Sequence, residues 1–450
     1  MIVCGYKLAR NLSRRCDMKI NKTDVLIIGG GPAGTTFGNL ISRRGFDVTL
    51  LEKDHHPRFH IGESLLPMNL PIFERLGVLE DITAIGKPKM GADFTLGNSK
   101  KRHKTFRFKF ALGDSPDQAF EVRRSEFDQI LFEQCKRTGV KTFEGVKVRQ
   151  VTALSDDTHK VEAVDADGEP RVWETRFLVD ASGRDTFLST KNGWKKRNPK
   201  HASAAIFSHF QGVKRRPGSD QGNISAYWFE HGWIWMIPLR DDIMSVGAVC
   251  YPEHFRARSG SLDDLLLETL NGVSQIRKRM EGAKSMLPAQ ATGNYSYLSD
   301  RISGPGYLLI GDAFAFIDPI FSSGVYLAMN SAERAVDMTA DWLDGKRASY
   351  RRKGRKYERD IWRGISTFSW FIYRFTSPVM INLMRNPRNN FQVAQAVISM
   401  LAGDVFSNKQ VQRRLLIFKL IYMISWIKNW PEALKYRKIK KNRLKTEPTQ

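Results

Sequence analysis

The chain has 450 residues, of which 42% are hydrophobic and 26% are charged, and its formal net charge is +24. This composition is typical of a globular protein, and the length allows one large composite core or two to three domains. The four cysteines show neither CxxC pairing nor regular spacing, which argues against a disulfide framework or a metal site and favours a cytoplasmic protein. No apolar run reaches the roughly 18 residues that a transmembrane helix requires.

Much of the positive charge lies at the two ends of the chain. Residues 1–22 and 436–450 are basic, and we expect both stretches to be solvated and disordered. The N-terminal stretch lacks the apolar segment of a secretory signal. A net charge of this size fits a nucleic acid, an anionic membrane surface, an acidic protein partner or simple solubility.

The first strong motif is G-x-G-x-x-G at Gly29, Gly31 and Gly34, which follows the apolar run Val25–Ile28 and precedes a helical segment. These glycines would allow a tight turn, the close approach of a pyrophosphate and close packing of the helix on the strand. The helix N-terminus would offer free N–H groups to the same pyrophosphate. Glu52, after the next strand, lies where an acid accepts hydrogen bonds from a ribose. The stretch predicts dinucleotide binding but does not distinguish FAD from NAD.

Further along the chain, strand-rich and helical patterns alternate in blocks. Residues 120–137 have helical spacing, residues 201–251 alternate like strands and are rich in aromatic residues, and residues 306–340 return to strand, turn and helix. After residue 351 the chain is helical, aromatic and basic. This order predicts a nucleotide-binding domain that is interrupted by a sheet domain and followed by C-terminal helices.

Two later motifs give this layout a family resemblance. DASGRD at Asp180–Asp185 and LIGDAFAFIDP at Leu309–Pro319 resemble the second and third FAD motifs of the p-hydroxybenzoate-hydroxylase-like enzymes. The resemblance implies that the dinucleotide is FAD, that Arg124 lies along it, and that Asp312 faces its ribityl or pyrophosphate part. The implied cofactor-binding residues are Gly29, Gly31, Ala33, Gly34, Glu52, Lys53, Ser64, Arg124, Asp312, Pro319, Gly324 and Val325.

The expected fold class is therefore α/β, with a Rossmann-type FAD-binding domain interrupted by a β-sheet substrate domain and followed by a C-terminal helical region. The expected boundaries are residues 23–95, 120–190 and 298–345 for the FAD-binding domain, 96–119 and 191–297 for the substrate-domain sheet, 346–435 for the helical region, and 1–22 and 436–450 for the basic ends.

The segment GWIWMIP contains W-x-W-x-I-P at Trp233, Trp235, Ile237 and Pro238. Two indoles on alternate residues of a strand point to the same face and form a wall. An isolated W-x-W is often only an aromatic core strand. Together with the flanking Ile-Pro, however, this segment resembles the signature of the flavin-dependent halogenases, in which such a wall keeps the substrate away from the flavin.

The segment FIDPIFSSG fits F-x-x-P-x-x-S-x-G and resembles a motif of halogenases that act on phenols and pyrroles. The resemblance implies a halide site at Ser323 and Gly324, where a turn meets a helix N-terminus. An ordinary FAD-contact loop is the alternative interpretation. Tryptophan halogenases carry a glutamate immediately before the corresponding Ser-Ser/Thr-Gly element, and this chain has Phe321 there. A phenol or pyrrole is therefore the better expectation than an indole.

Lys89, in KPKMGAD, matches K-x-G-A of the same enzymes, and an exposed loop lysine is the alternative. The resemblance implies that a flavin hydroperoxide oxidises halide to hypohalous acid, and that Lys89 forms a haloamine or positions the acid. Burial would make either protonation state of an amine reachable. In HIGESLLP, Glu63 and Ser64 would contact or gate the isoalloxazine, whereas His60 is more simply a hydrogen-bonding loop residue.

Three functions remain to be compared. The favoured one is a halogenase that takes FADH2 from a separate flavin reductase and installs chloride or bromide on an electron-rich ring, with Lys89, Trp233, Trp235 and Glu63 as catalytic residues. The second is a single-component FAD-dependent aromatic monooxygenase or a related flavin oxidoreductase. The third is a flavoprotein that binds nucleic acid, for which charge is the sole indication. A substrate tethered to an acidic acyl carrier protein is a further expectation.

Overall fold

The computed structural model describes residues 20–95, 103–155, 157–198, 203–293, 296–385 and 389–445. In chain order its strands are β1 Ile20–Ile28, β2 Val48–Leu51, β3 Lys87–Lys89, β4 Gly91–Thr95, β5 His103–Arg107, β6 Ala119–Glu121, β7 Lys141–Phe143, β8 Lys147–Ser155, β9 Thr158–Val164, β10 Pro170–Asp180, β11 Lys195–Arg197, β12 Ala204–Gln211, β13 Ile224–Phe229, β14 Gly232–Pro238, β15 Ile243–Cys250, β16 Lys284–Ser285, β17 Gln290–Gly293, β18 Tyr297–Ser299, β19 Ser303–Gly304, β20 Tyr307–Leu309 and β21 Ala315–Phe316. Its α-helices are α1 Pro32–Ser42, α2 Leu70–Leu76, α3 Leu79–Ile85, α4 Arg124–Arg137, α5 Phe187–Lys191, α6 Pro252–Arg256, α7 Leu262–Asn271, α8 Ser274–Met280, α9 Gly324–Leu343, α10 Arg347–Phe375, α11 Pro378–Arg385, α12 Val393–Ala402, α13 Lys409–Lys428 and α14 Trp430–Lys445.

The first sheet has the order β19-β20-β10-β1-β2-β7, and its central pairs β20–β10–β1–β2–β7 are parallel. An antiparallel extension, β8 and β9, joins it along β10. The run Val25–Ile28 is buried throughout, as expected for a strand covered on both faces. Helices α1, α4 and α9 pack side by side, with α1 between the other two, and each of them contacts strands of this sheet.

The second sheet has the order β16-β12-β15-β14-β13-β4-β5, and β17 also pairs with β12. One face packs on α7 and α8 through a separate apolar cluster that includes Ile234, Met236 and Leu266. The other face, which carries Trp233 and Trp235, joins the main core. One boundary differs from expectation: β4, placed in the FAD-binding domain by sequence, pairs with β13 and β5 in the second sheet. Its five residues are all buried, so pairing within this sheet decides where it belongs.

Helices α10 to α14 form the C-terminal region, and the predicted α/β fold class is confirmed. The expected disorder of residues 436–450 is wrong where the structure describes them, because α14 continues to Lys445. Residues 20–22 of the N-terminal stretch belong to β1, and residues 1–19 and 446–450 lie outside the described chain. Within the described ranges, no helix is both long and apolar enough to cross a membrane.

The β1–α1 turn depends on the absence of a side chain at Gly34. An alanine Cβ there would lie 2.0 Å from the carbonyl oxygen of Gly29. We expect Gly34→Ala to lower the free energy of unfolding by roughly 1–3 kcal/mol, measured by urea denaturation. Gly293→Ala is the control, since its Cβ would meet nothing within 4 Å. Equal denaturation midpoints for the two variants would contradict this account of the turn.

Candidate active site

A cavity of about 350 Å³ runs from the β1–α1 turn to the inner face of the second sheet. Most of the residues predicted from sequence line it, and they are Gly29, Gly31, Ala33, Glu52, Lys53, Glu63, Ser64, Arg124, Trp233, Trp235, Asp312, Pro319, Gly324 and Val325. Gly34, Lys89 and Ser323 do not line it. Gly34 packs under the turn, whereas Lys89 and Ser323 are both buried.

The turn end of the cavity has the shape and the donors that a dinucleotide requires. Gly29 has a φ of +107°, and a side chain on Gly31 would meet only the Arg58 guanidinium, at 3.8 Å. The Gly30 N–H donates to Oε2 of Glu52 at 2.7 Å, which fixes that buried carboxylate at the cavity edge. The guanidinium of Arg58 lies 3.6 Å from the same carboxylate. An open backbone, a helix N-terminus and a nearby cation fit the pyrophosphate and ribose of FAD.

Two charged side chains define the middle of the cavity. Arg124 makes a bidentate ion pair with the buried Asp128 at 2.8 and 2.9 Å and donates to the carbonyl oxygen of Ile61 at 3.0 Å. Asp312 follows β20, and burial raises the pKa of its carboxyl to about 7, although Arg184 and Arg124 oppose the rise. A carboxyl group with this pKa exchanges a proton near neutrality, at the position predicted to face the cofactor.

Sequence reasoning missed Arg58 and Arg184, both of which line the cavity. Arg58 lies in a loop without a motif, six residues after Glu52, whereas Arg184 lies within the DASGRD motif and could have been found there. His60 makes the expected loop hydrogen bond, since its Nδ1–H donates to the carbonyl oxygen of Ile61 at 2.7 Å, and it also lines the cavity. Burial and the nearby Arg124 lower the pKa of His60 to about 4, so its ring is neutral.

Trp233 and Trp235 form the wall that their spacing predicts. Both indoles line the cavity, with ring centroids 5.9 Å apart. Trp235 Nε1–H donates to Ser245 Oγ at 3.2 Å, and a Cβ on Gly247 would clash with its ring at 2.4 Å. The Trp233 indole N–H is buried and has no hydrogen-bond partner among the described residues. Packing and one hydrogen bond therefore fix the position of Trp235, and among the described residues the indole N–H of Trp233 remains without an acceptor.

At the N-terminus of α9, a tight turn leads into the helix. Ser322 adopts a left-handed conformation with a φ of +57°, and the Asp318 carboxylate accepts the Ile320 N–H at 3.0 Å. The first N–H groups of a helix have no intrahelical acceptor. The Ser323 hydroxyl is buried and likewise has no partner among the residues described. Gly324 and Val325 bring this donor-rich turn to the cavity surface.

Lys89 is 1% exposed and lies behind Ser64. Its ammonium group donates to Ser64 Oγ and to the Leu65 carbonyl oxygen, both at 2.8 Å. In the β3–β6 ribbon Lys87 pairs with Glu121 and Lys89 with Ala119, so Lys89 and Glu121 are diagonal neighbours on one face. Burial lowers the pKa of Lys89, and Glu121 partly counteracts this.

Glu121 is a third residue that sequence reasoning missed. It is fully buried, and burial raises its pKa to about 8, while Lys89 and Ser64 limit the rise. An acid between Phe120 and Val122 in a short strand was the available signal. Glu63, which faces the cavity, is also buried and is held by His209 Nε2 at 2.9 Å. A lysine and two carboxyl groups thus lie near Ser64: Glu63 lines the cavity, whereas Lys89 and Glu121 are buried beside it.

Comparisons with known proteins decide the family. A family model described as FAD binding domain matches residues 22–359. The chain is 30% identical over 437 residues to the 1H-pyrrole-2-carbonyl-(peptidyl-carrier protein) chlorinase of Pseudomonas fluorescens, covering 91% of this chain and 95% of that protein. This chain belongs to the flavin-dependent halogenases.

Two further similarities agree with this membership. The halogenase chain is 36% identical over 321 residues to the tryptophan 2-halogenase of Chondromyces crocatus, covering 69% of this chain but only 60% of that relative's length. A solved flavoprotein/dehydrogenase from Cytophaga hutchinsonii superimposes with a TM-score of 0.83 at 28% identity, covering 91% of this chain and all of that one.

The raised pKa of Glu121 predicts a specific dependence of stability on pH. Between the unfolded pKa of 4.5 and the folded value of about 8, the folded state holds the proton more tightly, so Glu121 makes stability fall as pH rises. We expect Glu121→Gln to gain stability relative to the wild type across this window, by up to about 1.4 kcal/mol per pH unit.

Urea denaturation at several pH values measures this difference. The exposed Glu74, replaced by Gln, is the matched control and should show a constant difference from the wild type. A constant difference for Glu121→Gln as well would show that Glu121 ionises normally.

Proposed function

We propose that this halogenase uses FADH2 from a separate flavin reductase to chlorinate or brominate an electron-rich aromatic ring of the phenol or pyrrole type. The observation that carries the proposal is Lys89, which is buried beside the cavity and held by Ser64 in a segment that matches K-x-G-A. A lysine is rarely buried to this degree without a partner or a task.

The residues at the turn end would hold the FAD. Gly31 and the α1 N-terminus would face the pyrophosphate, Glu52 the ribose, and Asp312 the ribityl chain. When bound, reduced FAD supplies with oxygen the oxidising equivalents that convert a halide to an electrophilic halogen. The chain's own contribution is to orient the cofactor, keep water out and present the amine.

Lys89 would deliver the halogen to the ring. The lowered pKa brings the neutral amine within reach, and only a neutral nitrogen can bond to an electrophilic halogen, whereas the ammonium form can donate a hydrogen bond to it. Ser64 both accepts from the Lys89 amine and lines the cavity, so it connects the buried amine to the cavity.

The turn before α9 would bind the halide. It combines the N–H groups of Gly324 and Val325 at the cavity surface with the buried Ser323 hydroxyl, which has no hydrogen-bond partner in the part of the chain that the structure describes. Uncompensated donors at the N-terminus of a 20-residue helix favour an anion.

The proposed substrate class rests on Phe321. This residue is 5% exposed and packs edge-on against Phe94 and Phe375, so no carboxylate stands where tryptophan halogenases carry one. A phenol or pyrrole ring needs no such acid because its own heteroatom activates the carbon that is attacked. The name of the pyrrole chlorinase relative supports this choice, whereas the name of the tryptophan 2-halogenase relative does not.

Lys89→Ala should abolish halogenated product while FAD binding is retained, because the amine is removed and no residue of the glycine turn is touched. The assay compares product by mass spectrometry with flavin absorbance of the purified variant. Lys87→Ala is the matched control, two residues away on the same strand but only half-buried. Near-normal product from Lys89→Ala would remove this residue from the mechanism.

A single-component aromatic monooxygenase or a related flavin oxidoreductase is the second candidate, and the similarity to a structure named flavoprotein/dehydrogenase fits the oxidoreductase. The two functions differ in how electrons arrive. We expect the purified protein not to oxidise NAD(P)H appreciably without an added flavin reductase, since the sequence has one dinucleotide fingerprint, at residues 29–34. Consumption of NADPH by the protein alone, stimulated by an aromatic substrate, would favour the monooxygenase.

The ring can reach the enzyme by two routes, free or as a carrier-protein thioester, and we favour the thioester. Carrier proteins are usually acidic, and a chain of net charge +24 would attract one over long range. The pyrrole chlorinase relative is named for a carrier-bound substrate. We expect the thioester to be halogenated faster than the free acid, with an advantage that shrinks as salt is added. Equal rates that are insensitive to salt would exclude the carrier.

A further inference from the structure

The outward face of α13 carries an apolar stripe that no described residue covers. The stripe consists of Leu416, Leu420, Met423, Ile424 and Ile427, each of which is between 51% and 65% exposed. At 3.6 residues per turn their directions fall within an arc of about 100°. Monomeric soluble proteins rarely expose a contiguous apolar surface of this kind without a partner for it.

The helix is anchored by its opposite face, so the stripe is not the product of a loosely placed element. Val411, Leu415 and Tyr422 are buried, and Phe418 stacks on Phe371 of α10 with centroids 5.4 Å apart. None of the α13 residues lines the cavity. Helix α13 therefore has two apolar surfaces: one packs against the rest of the protein, and the other, the stripe, is exposed to solvent.

The surroundings of the stripe are cationic. Residues 409–445, which span α13 and α14, contain twelve basic side chains and one acidic one, a net charge of +11 out of +24 for the whole chain. Basic residues flank the apolar stripe at both ends. Lys409 and Arg413 precede it on the same side of α13, and Lys428 follows its last residue; all three side chains are exposed. Trp430, 57% exposed, lies just beyond.

We propose that α13 docks on the surface of an anionic lipid bilayer, with its apolar stripe in the interface and its basic side chains on the headgroups. Aliphatic residues on one side, Lys and Arg around them and Trp at the edge are the composition of helices that lie in a membrane interface. Because the stripe runs along the length of the helix, the helix axis would lie along the membrane surface.

Two other occupants fit less well. A second copy of the chain would bring one +11 segment against another, and like charges at an interface oppose association. An acidic protein matches the charge, but eight of the twelve basic residues are lysines, a residue that is depleted in protein interfaces. The lipid surface tolerates flexible, strongly hydrated ammonium groups, and it needs no complementary groove.

The test is co-sedimentation of the purified, FAD-loaded full chain with lipid vesicles, made either of phosphatidylcholine alone or of equal parts phosphatidylcholine and phosphatidylglycerol. We expect binding to the anionic vesicles that weakens with added salt. The double variant Met423→Glu/Ile427→Glu should bind roughly tenfold or more weakly, and so should Arg413→Glu/Lys428→Glu. Leu154→Glu/Leu267→Glu, which changes two exposed apolar residues elsewhere, is the matched control and should bind like the wild type.

Several outcomes would overturn the proposal. These are no binding to anionic vesicles, equal binding to both vesicle types, or binding that the stripe variant does not change. Light scattering that shows a dimer lost in Met423→Glu/Ile427→Glu would assign the stripe to a second copy, and an acidic carrier protein whose binding depends on the stripe would assign it to that protein. Flavin absorbance and thermal unfolding of each variant verify its fold. Halogenation of a soluble substrate is a separate readout, so the proposed function stands or falls independently.

Discussion

The site depends on the alignment of parallel strands whose carboxyl ends meet at one edge of the first sheet. Ile28 is in register with Leu51 on one side and Asp180 on the other, and Asp180 is in register with Leu309. The residues that follow these four strand ends are therefore brought together, although some 280 positions separate the first from the last. In open α/β sheets this edge is where ligands bind. The glycine turn, Glu52 and Asp312 reach one cavity for this reason.

The second sheet closes the cavity through the two-residue period of its strands. In β14, Trp233, Trp235 and Ile237 face the cavity, while Ile234 and Met236 face the cluster under α7 and α8. A shift of one residue in the pairing of β14 would exchange the two sets. Both faces of β14 are buried, so after such a shift the large side chains would not fit the space on their new side. The register of β14 is therefore strongly determined. The aromatic wall is a consequence of that register as much as of its two tryptophans.

The cluster around Ser64 is the electrostatically expensive part of the structure. Lys89 and Glu121 are almost fully removed from water, where a charge is poorly solvated and either group tends toward its neutral form. The pKa directions reflect this, downward for the amine and upward for the acid. Exposed ion pairs such as Arg44 with Asp337 carry no such cost and contribute about 1 kcal/mol at most. Burial thus brings the neutral amine of Lys89 and the neutral acid of Glu121 nearer in energy to their charged forms.

The sequence by itself determined the fold class, the cofactor and the family, because each is encoded in short segments whose spacing and backbone requirements are local. The glycine turn, W-x-W-x-I-P and the turn before α9 could be read directly. What only the tertiary structure decided are relations between segments distant in the chain. Strand β4 joined the second sheet, and α14 extended through residues expected to be disordered. Lys89 lay behind Ser64 with Glu121 beside it. Burial and pairing of this kind arise from packing between elements that are distant in the chain. The sequence around a charged residue therefore does not show whether the folded protein will bury it.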